Sequence, residues 1–555
     1  YTPFHSAPTN VSLINMPETK IESIVKHYKR GVCKITAQNC EISAAEPFTT
    51  TSDDMVCGSG FLIPWRYLFL PEKTEDGERC YYFVTNAHVI EGCASRRVTV
   101  EFPWLGSTKL YGEVVIACQQ LDFAVVSLTS QWNDSLEQQL GKTFQEIMRD
   151  VPFLRPIAKT LNTTKQAYHS CATIGYPLDS QDAHLSTGKI SGRHEVFLQL
   201  NQSISSGNSG GPLFNESGQV IGITSANFED SEGVALAIPW SVISTMLLHY
   251  KQDDDFILVP PHLGIACRNL VHAYSVTVLK SNVKGALVKT VFDKSPLKKK
   301  GLRVGDIICK VGDMNSEYEV DSRCLVQSSY QHDKVKFCSL NFLMLLDRHT
   351  TYLEVFRRGK IIRMDFEMSN NVGRVRTLMP AIEDIDCLIF AGMVFSDLCA
   401  NHLEDVEDSS DPAIVSFLNK SHMARHACVL SAFKTPCSIL QQGYENLRPM
   451  TIVKSINKKE VNSVEEMRKI LKRVVSRYAK DPWNEKLRFI NLNSHDDCFI
   501  VDLMLAFQLE PLLGATAGFP TELSVLEEHV ETFASAFEEK RTEERASKRR
   551  RFNSE

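Results

Sequence analysis

Short apolar runs bounded by polar turns recur along the N-terminal quarter of the chain. Runs of about four to eight such residues favour β-strands, since a helix needs a longer periodic pattern. Residues 64–80 separate the second and third runs and exceed what a hairpin turn needs, so we interpret them as a surface insertion. The predicted strands, which together suit a first β-barrel, are residues 31–36, 58–63, 81–85, 98–102, 111–117 and 123–128.

The same pattern returns after a polar connection at residues 130–168, in which a helix is predicted near residues 136–148. Strands of a second barrel are predicted at residues 172–176, 196–200, 220–224 and 234–237, with Leu213 on a further strand. A helix is predicted at 241–250. The two barrels then cover residues 30–250, and the proline-containing residues 1–29 are interpreted as an irregular N-terminal arm.

Length and composition restrict the class of protein. A chain of 555 residues is too long for one hydrophobic core, so several domains are expected. Apolar residues make up 43% and charged residues 23%, as in soluble globular proteins. A net charge of −6 predicts no general affinity for nucleic acid, and no apolar run is long enough to span a membrane. The chain starts at Tyr1 without a methionine, so we expect a fragment or a processed form whose targeting segment is missing.

The 16 cysteines are scattered along the chain. Cys33 and Cys40 lack the C-x-x-C spacing of a zinc site, and no second pair completes one. Others, such as Cys118 and Cys171, lie in apolar surroundings, which favours buried thiols in a reducing intracellular compartment (cytoplasm, nucleus or organelle matrix). Disulfides are the less favoured alternative. No metal or organic cofactor is expected.

Candidate chemistry begins at residues 207–214, which read Gly-Asn-Ser-Gly-Gly-Pro-Leu-Phe. A serine between glycines on a tight turn presents its hydroxyl without crowding side chains. The backbone N–H groups of Gly207, Asn208 and Ser209 can form an oxyanion hole for an acyl-transfer intermediate, with Gly207 and Ser209 as the main donors. The alternative is an ordinary glycine-rich hairpin, because a short motif is a hypothesis.

Two further motifs lie upstream of this serine. His88 ends the strand-like run at residues 81–85, and Asp122 precedes the run at 123–128. Alone, each residue is more often structural than catalytic. In the order His, Asp, Ser, however, an aspartate can accept the ring proton of the histidine, and the histidine can take the proton of the serine hydroxyl.

These three motifs together resemble the trypsin-like serine proteases of the HtrA/DegP (Deg) family. Further matches are Gly-Ser-Gly-Phe at residues 58–61, Ile-Gly-Tyr-Pro at 174–177 and Ala-Ile-Pro at 237–239. The resemblance implies a mainly β fold, a chymotrypsin-like double β-barrel followed by two α/β PDZ-like domains. It also implies a His88–Asp122–Ser209 triad in an ATP-independent endopeptidase for unfolded or damaged proteins, assembled as a trimer or a multiple of trimers.

The specificity pocket is partly predicted by the resemblance. Its floor would be shaped by Ser203 and Ile204, with Thr224, Ser225 and Ala226 offering a strand edge to the substrate backbone. Ser203 stands where a trypsin-type acidic residue would lie, so cleavage after Val, Ala or Ile is expected. Residues 201–206 depart from the D-A-A-I-N-P common in the family, which questions the order and activation of this loop. The alternative function is a catalytically silent, PDZ-bearing chaperone or scaffold.

Residues 258–370 resemble a PDZ domain of the HtrA type, carried by Leu-Gly-Ile at 263–265, Ser-Pro at 295–296 and the run at 301–308. The resemblance implies that the turn of His262, Leu263, Gly264 and Ile265 offers N–H groups to the carboxylate of a C-terminal peptide. An apolar terminal side chain is expected to lie between Leu263 and Ile265. The alternative is a domain that only packs against the protease.

Residues 371–520 resemble, more weakly, the second PDZ-like domain of the eukaryotic, plant-type Deg branch, with a closing strand predicted at residues 498–501. No intact carboxylate-binding turn is present there, which favours a structural or oligomer-forming role. Residues 521–555 are rich in Glu, Lys and Arg, and we predict a helix followed by disorder. The basic residues 548–551 suit either a solvated charge run, which is favoured, or a nuclear import signal.

Overall fold

The protein is seen here in a computed structural model. It describes residues 27–38, 55–91, 93, 96–131, 133, 140–157, 169–177, 180, 182–202, 204–227, 233–250, 256–271, 283–292, 294–327, 334–369, 378–379, 382–383, 385–399, 401–404, 428–433, 451–494, 498–509 and 521–552. Ser203, most of the predicted N-terminal arm and the acidic stretch 251–255 lie outside the described residues.

The first six strands form a closed barrel, in the order β1-β2-β3-β6-β5-β4. Their inward-facing side chains, such as Phe83 and Val126, are fully buried in one apolar cluster. All six predicted strands of this region are confirmed, because short apolar runs bounded by polar turns mark them in the sequence. The strands are β1 Val32–Gln38, β2 Met55–Ile63, β3 Tyr81–Thr85, β4 Arg97–Glu101, β5 Lys109–Cys118 and β6 Phe123–Leu128.

A second closed barrel follows, in the order β10-β11-β12-β9-β8-β7. Its longest strand, β8, was not predicted from the sequence. Most of its positions are exposed or half-buried and polar, so it carries no apolar alternation. The strands are β7 Ser170–Gly175, β8 His184–His194, β9 Phe197–Leu200, β10 Pro212–Asn215, β11 Val220–Asn227 and β12 Ala235–Pro239.

Among the described residues, three α-helices accompany the barrels: α1 Ala87–Ile90, α2 Phe144–Arg149 and α3 Trp240–Tyr250. The helix predicted near residues 136–148 corresponds in the described residues to the shorter α2. It begins at Phe144 because Thr143 and Glu146 form a reciprocal capping box, which satisfies two otherwise unpaired backbone N–H groups. The helix α3, predicted one residue shorter, is confirmed.

The next unit is built on a sheet in the order β13-β14-β15-β19-β20, with β16 paired to β15 and a separate β17–β18 hairpin. The strand β13 lies at one end of this order, so one of its edges has no strand partner among the described residues. The elements are β13 Ile265–Asn269, β14 Ala286–Val291, α4 Pro296–Lys299, β15 Ile307–Gly312, β16 Glu317–Glu319, β17 Leu325–Gln327, β18 Lys334–Lys336, α5 Leu340–Leu343, β19 Tyr352–Arg357 and β20 Lys360–Asp365.

This unit is tied to both barrels. Residues 256–258 run beside β5, where the N–H of Ala117 donates to the carbonyl of Phe256 and the N–H of Leu258 donates to that of Ala117. Arg348 donates from Nη1 to the carbonyl of His249 at the end of α3. The connection therefore continues the sheet of the first barrel, close to the loop that leads to Asp122.

The C-terminal region contains two four-stranded sheets, in the orders β21-β22-β23-β24 and β26-β25-β27-β28, with the long helix α7 packed against them. A described strand at residues 498–502 includes the predicted closing strand. The elements are β21 Cys387–Phe390, β22 Met393–Asp397, α6 Asn401–Glu404, β23 Cys428–Phe433, β24 Thr451–Val453, β25 Ser455–Ile456, β26 Lys459–Glu460, α7 Val464–Lys480, α8 Glu485–Arg488, β27 Phe489–Asn493, β28 Cys498–Asp502 and α9 Val530–Phe552.

The last helix, α9, is anchored by stacked aromatic rings. Phe533 stacks on Phe507, with ring centroids 4.4 Å apart, and Phe537 stacks on Trp483 at 5.3 Å. The predicted helix in the tail is confirmed, but the expected loss of order is not seen as far as Phe552. Among the described residues, no helix is both long and apolar enough to cross a membrane.

Candidate active site

His88 lies where β3 passes into α1, at the junction of a rigid strand and a short helix. Its Nδ1 is 2.9 Å from Oδ1 and 3.0 Å from Oδ2 of Asp122, and its backbone N–H donates to the same Oδ1 at 3.0 Å. Since the carboxylate occupies Nδ1, the other ring nitrogen, Nε2, is left for proton transfer. The side chain of His88 is 42% exposed, so this nitrogen is within reach of a substrate.

Asp122 is held in a left-handed backbone conformation, with φ of +53°, after a short 3₁₀ turn at Gln119–Leu121. Aspartate tolerates this conformation better than most residues do. The side chain of Asn86 donates to the carbonyl of Asp122 at 2.7 Å, and the hydroxyl of Ser225 donates to Oδ2 at 2.5 Å. These contacts fix the orientation of the carboxylate toward the imidazole.

The environment of His88 has opposing effects on its pKa. Burial lowers the pKa, but the hydrogen bond to Asp122 and the negative charges of Asp122 and Glu91 raise it more, so it lies above the ordinary value of 6.5. The carboxylates stabilise the imidazolium ion. This is the form that a general base takes after it accepts a proton.

Ser209 lies on the loop before β10. Hydrogen bonds to backbone groups hold this loop before and after Ser209. The hydroxyl of Thr224 lies 3.0 Å from the carbonyl oxygens of both Asn208 and Gly211. Gly210, with φ of +87°, donates its N–H to the carbonyl of Thr224. A side chain at position 210 would put a Cβ only 2.0 Å from the carbonyl of Ser59, so the close approach of the two barrels requires glycine there.

The hydroxyl of Ser209 donates to the carbonyl oxygen of Ser225 at 2.6 Å. Within the described residues, no hydrogen bond joins this hydroxyl to His88. Side-chain rotation would therefore be needed before Nε2 of His88 could accept the proton. Catalytic hydrogen bonds are often long or misaligned before substrate binds, so this geometry is compatible with a triad.

The turn that precedes Ser209 carries the N–H groups that are predicted to form an oxyanion hole. The N–H of Asn208 donates to the carbonyl of Ser205 at 3.0 Å, and Gly207, the third residue of the turn, has φ of +93°. A positive φ at this position defines a type II turn, in which the N–H of the third residue is directed away from the turn's own hydrogen bond. The N–H groups of Gly207 and Ser209 have no acceptor within the described residues.

The residues predicted to shape the specificity pocket do not share one location: one is buried in the core of the second barrel, and two contact the proposed catalytic residues or their loop. Ile204 is 3% exposed and packs in the core of the second barrel with Leu213, behind the loop surface. Thr224 braces the nucleophile loop and Ser225 binds Asp122, as described above. Ser203 and the side chain of Ala226 lie outside the described residues, so the pocket itself stays a prediction.

The predicted carboxylate-binding turn precedes β13. The side chains of Leu263 and Ile265 are 0% and 4% exposed and belong to the apolar core. The fit of a peptide side chain between them stays a prediction. The N–H of Gly264 donates to Nδ1 of His262 at 2.8 Å, and the hydroxyl of Ser295 donates to the carbonyl of Leu263. Ile265 begins β13 and pairs with Val291 of β14.

Sequence reasoning assigned no role to Ser59, Glu91 or Asn86 and placed Ser225 only in the pocket. The motif Gly-Ser-Gly-Phe was a signal for Ser59, because glycines on both sides of a serine suggest close backbone approach. Gln202 was also missed. It is 7% exposed, and neither polar atom of its amide has a partner within the described residues.

Residues 58–223 match the family model described as a trypsin-like peptidase domain. This segment contains His88, Asp122 and Ser209, and it extends across both closed barrels. The fold is thus mainly β with a chymotrypsin-like double barrel, as predicted, and the sheets and helices that follow are compatible with PDZ domains.

Among curated proteins the chain is similar to serine proteases of the HtrA and Do type. It is 25% identical over 291 residues to "Serine protease Do-like HtrA" of Bacillus subtilis (strain 168), which covers 50% of this chain and 59% of that protein. It is 24% identical over 436 residues to "Probable periplasmic serine endoprotease DegP-like" of Chlamydia muridarum, covering 76% and 70%. It is 26% identical over 230 residues to "Putative protease Do-like 14" of Arabidopsis thaliana, covering 35% and 53%.

The match spans between about half and two thirds of the length of these relatives, from 53% to 70%. The trypsin-like domain and the names of the relatives support a serine endopeptidase of the HtrA/DegP type.

Proposed function

We propose that the chain is an ATP-independent serine endopeptidase of the HtrA/Deg type, which cleaves unfolded or damaged proteins with Ser209, His88 and Asp122. The observation that carries this proposal is the double contact of Asp122 with Nδ1 and the backbone N–H of His88, beside a serine loop with two unpaired N–H groups. An aspartate that only capped a turn would not need to engage both groups of the histidine.

The reaction follows from this arrangement. Ser209 rotates from the carbonyl of Ser225, gives its proton to Nε2 of His88 and attacks the scissile carbonyl carbon. The N–H groups of Gly207 and Ser209 stabilise the negative oxygen of the tetrahedral intermediate. The imidazolium then protonates the leaving amine, and water hydrolyses the acyl-enzyme with His88 acting again as the base. Asp122 stabilises the imidazolium in both halves of the reaction.

The proposal extends to the substrate and the assembly. Cleavage occurs after small or branched aliphatic residues, since Ser203 stands in the place of an acidic pocket floor. The unit at residues 258–370 binds C-terminal peptides along the free edge of β13. The region 371–520 has a structural role, and the protease forms homo-oligomers from trimers upward.

The chain is also proposed to belong to the plant-type Deg branch. This assignment is supported by the Arabidopsis relative and by the weak resemblance of the C-terminal region.

A second candidate is a catalytically silent, PDZ-bearing chaperone or scaffold. The contact between the hydroxyl of Ser209 and the carbonyl of Ser225 favours it, because a serine that stayed there could not be deprotonated by His88. The two functions predict opposite results when casein digestion by the parent chain is compared with digestion by a Ser209→Ala variant.

Digestion of casein by the purified chain and by a Ser209→Ala variant tests the proposal. The parent is expected to degrade casein, and the variant to lose on the order of 10⁴-fold or more in rate. Sequencing of the products by mass spectrometry is expected to show peptides that end in Val, Ala or Ile. Equal digestion by the parent and the variant, or digestion by neither, would contradict an active serine peptidase, and a majority of ends at Lys or Arg would contradict the aliphatic pocket.

A further inference from the structure

Ser59 lies on β2 of the first barrel, yet its polar groups are directed at backbone groups of the second barrel. Its hydroxyl donates to the carbonyl of Gly207 at 2.6 Å and accepts from the N–H of Tyr176 at 2.9 Å. Its own N–H donates to the carbonyl of Ser209 at 2.7 Å. The residue is fully buried. One small side chain thus contacts the nucleophile loop at Gly207 while its backbone contacts the loop at Ser209.

The contact at Gly207 fixes the peptide plane that follows the oxyanion-hole donor. In a trans peptide, the carbonyl of Gly207 and the N–H of Asn208 point in opposite directions. Ser59 holds the carbonyl from one side, and the carbonyl of Ser205 holds the N–H from the other. A glycine with φ of +93° has no Cβ that would restrict rotation, so these two hydrogen bonds are what orient this part of the loop.

The carbonyl of Ser59 is itself anchored, by the hydroxyl of Thr85 at 2.8 Å. Thr85 is the last residue of β3, three positions before His88. A chain of hydrogen bonds therefore links the strand that carries the base to the loop that carries the nucleophile. A Cβ at Gly58 or Gly60 would lie 2.4 Å from atoms of Val89 or Ile35, so the strand needs glycine on both sides of Ser59.

We infer that Ser59 is a positioning residue: by binding the carbonyl of Gly207 it holds the Gly207–Asn208 peptide so that the Asn208 N–H keeps its bond to Ser205. The closed turn then orients the N–H of Gly207, which belongs to the preceding peptide, toward an oxyanion. This inference rests on the proposed peptidase activity. Without the hydroxyl, the buried carbonyl of Gly207 and the N–H of Tyr176 both lose their partner. A buried polar group without a partner is unfavourable, so the Gly207–Asn208 peptide would rotate to find another partner and open the turn. Ser59 touches neither the substrate nor the reacting atoms, and its effect is transmitted through Gly207.

The inference is tested with Ser59→Ala in the full chain, with Thr173→Val as the matched control. Thr173 is also a buried hydroxyl, on β7, but its Oγ1 has no partner within the described residues. Loss of one oxyanion-hole donor costs about 10²- to 10³-fold in kcat. We therefore expect Ser59→Ala to lower kcat by at least about 10²-fold while KM changes less than about threefold. The Thr173→Val variant should keep the kcat and the KM of the parent.

A second readout separates positioning from general damage. A peptide aldehyde with a terminal valine forms a hemiacetal with Ser209 whose oxygen needs the oxyanion hole, whereas a peptide bound to the Ser209→Ala protein does not. Ser59→Ala should weaken inhibition by the aldehyde by about the same factor as kcat. The same substitution made in Ser209→Ala should leave peptide binding unchanged. The Ser59→Cys variant keeps a weak donor, so its kcat and its inhibition by the aldehyde should lie between those of the parent and of Ser59→Ala. It replaces the alanine variant in the test if that variant does not fold.

The possible outcomes are distinct. A folded Ser59→Ala or Ser59→Cys protein with kcat within about threefold of the parent overturns the inference and leaves the proposed activity standing. Equal weakening of aldehyde and peptide binding also overturns it, because that pattern reports damage to the whole site. A parent chain that neither cleaves peptides nor binds the aldehyde overturns the proposed function, and the inference with it.

Discussion

The hydroxyl of Ser209 donates to the carbonyl of Ser225 at 2.6 Å, and the hydroxyl of the same Ser225 donates to Oδ2 of Asp122 at 2.5 Å. One residue of β11 therefore binds the proposed nucleophile through its backbone and the proposed triad carboxylate through its side chain. A strand edge at this position is where the resemblance predicts that the substrate backbone binds. Substrate and Ser209 would then compete for the same carbonyl, and release of Ser209 would accompany substrate binding.

Ser225→Ala is expected to lower kcat/KM. A hydrogen bond to a charged group is worth about 1.5–3 kcal/mol, which corresponds to about 10- to 100-fold in rate. The loss stays well below that of Ser209→Ala, since Asp122 keeps both contacts to His88. Steady-state kinetics on a peptide substrate measures it, with Ser191→Ala as a control for loss of an exposed hydroxyl on β8. A decrease of less than about twofold for Ser225→Ala would show that the hydroxyl does not support the carboxylate.

The pH dependence of kcat/KM should follow the raised pKa of His88. Only the neutral imidazole accepts a proton, so activity should fall as the pH decreases through that pKa, with a midpoint above 6.5. The negative charge of Glu91 stabilises the imidazolium and raises the pKa, so Glu91→Gln should move the midpoint to lower pH. Glu72→Gln, at a surface ion pair with Arg79, should not move it. A midpoint below 6.5, or an upward shift with Glu91→Gln, would contradict this account.

The site residues that could be predicted from the sequence are those that stand in short, recognisable motifs. His88, Asp122 and Ser209 stand in short motifs, and the strands around them are short apolar runs that are buried along almost their whole length. The network that positions them could not be predicted in the same way. The partners of Ser59 are 117 and 148 residues away in the chain, and their pairing depends on how two barrels pack. The polar strand β8 and the burial of Ile204 likewise reflect tertiary packing, which residue patterns do not encode.

The unit at residues 258–370 contains a buried ion pair whose loss should be costly. Asp306 is 2% exposed, and its carboxylate accepts two hydrogen bonds from Arg357, each 2.6 Å long. Removal of one partner leaves an uncompensated buried charge, at about 3–5 kcal/mol. Arg357→Met should therefore speed amide hydrogen exchange in β15 and β19 by at least about 10²-fold. Arg323→Met, at an exposed pair with Asp321, should change it by less than about fivefold, and similar effects of both variants would contradict the prediction.

Peptide binding by the same unit should depend on a free carboxylate. The predicted carboxylate-binding turn leads into β13, one edge of which has no strand partner among the described residues, and a carboxylate is the ligand that converging N–H groups suit. Fluorescence anisotropy on the 555-residue chain with Ser209→Ala should show micromolar binding, about −8 kcal/mol, for peptides with an apolar C-terminal residue. Amidation of the same peptides should weaken binding at least about tenfold. Equal binding of acid and amide, or binding of neither, would leave the unit as a packing module.

The central claim is that Ser209 is an activated nucleophile, and labelling with a fluorophosphonate tests it most directly. The reagent phosphonylates a serine only where a base removes its proton and an oxyanion hole stabilises the new charge. The account predicts one adduct, mapped by mass spectrometry to Ser209, which is absent in Ser209→Ala and on the order of 10³-fold slower or more in His88→Ala. An unlabelled parent chain, or labelling that persists in Ser209→Ala, would contradict the claim.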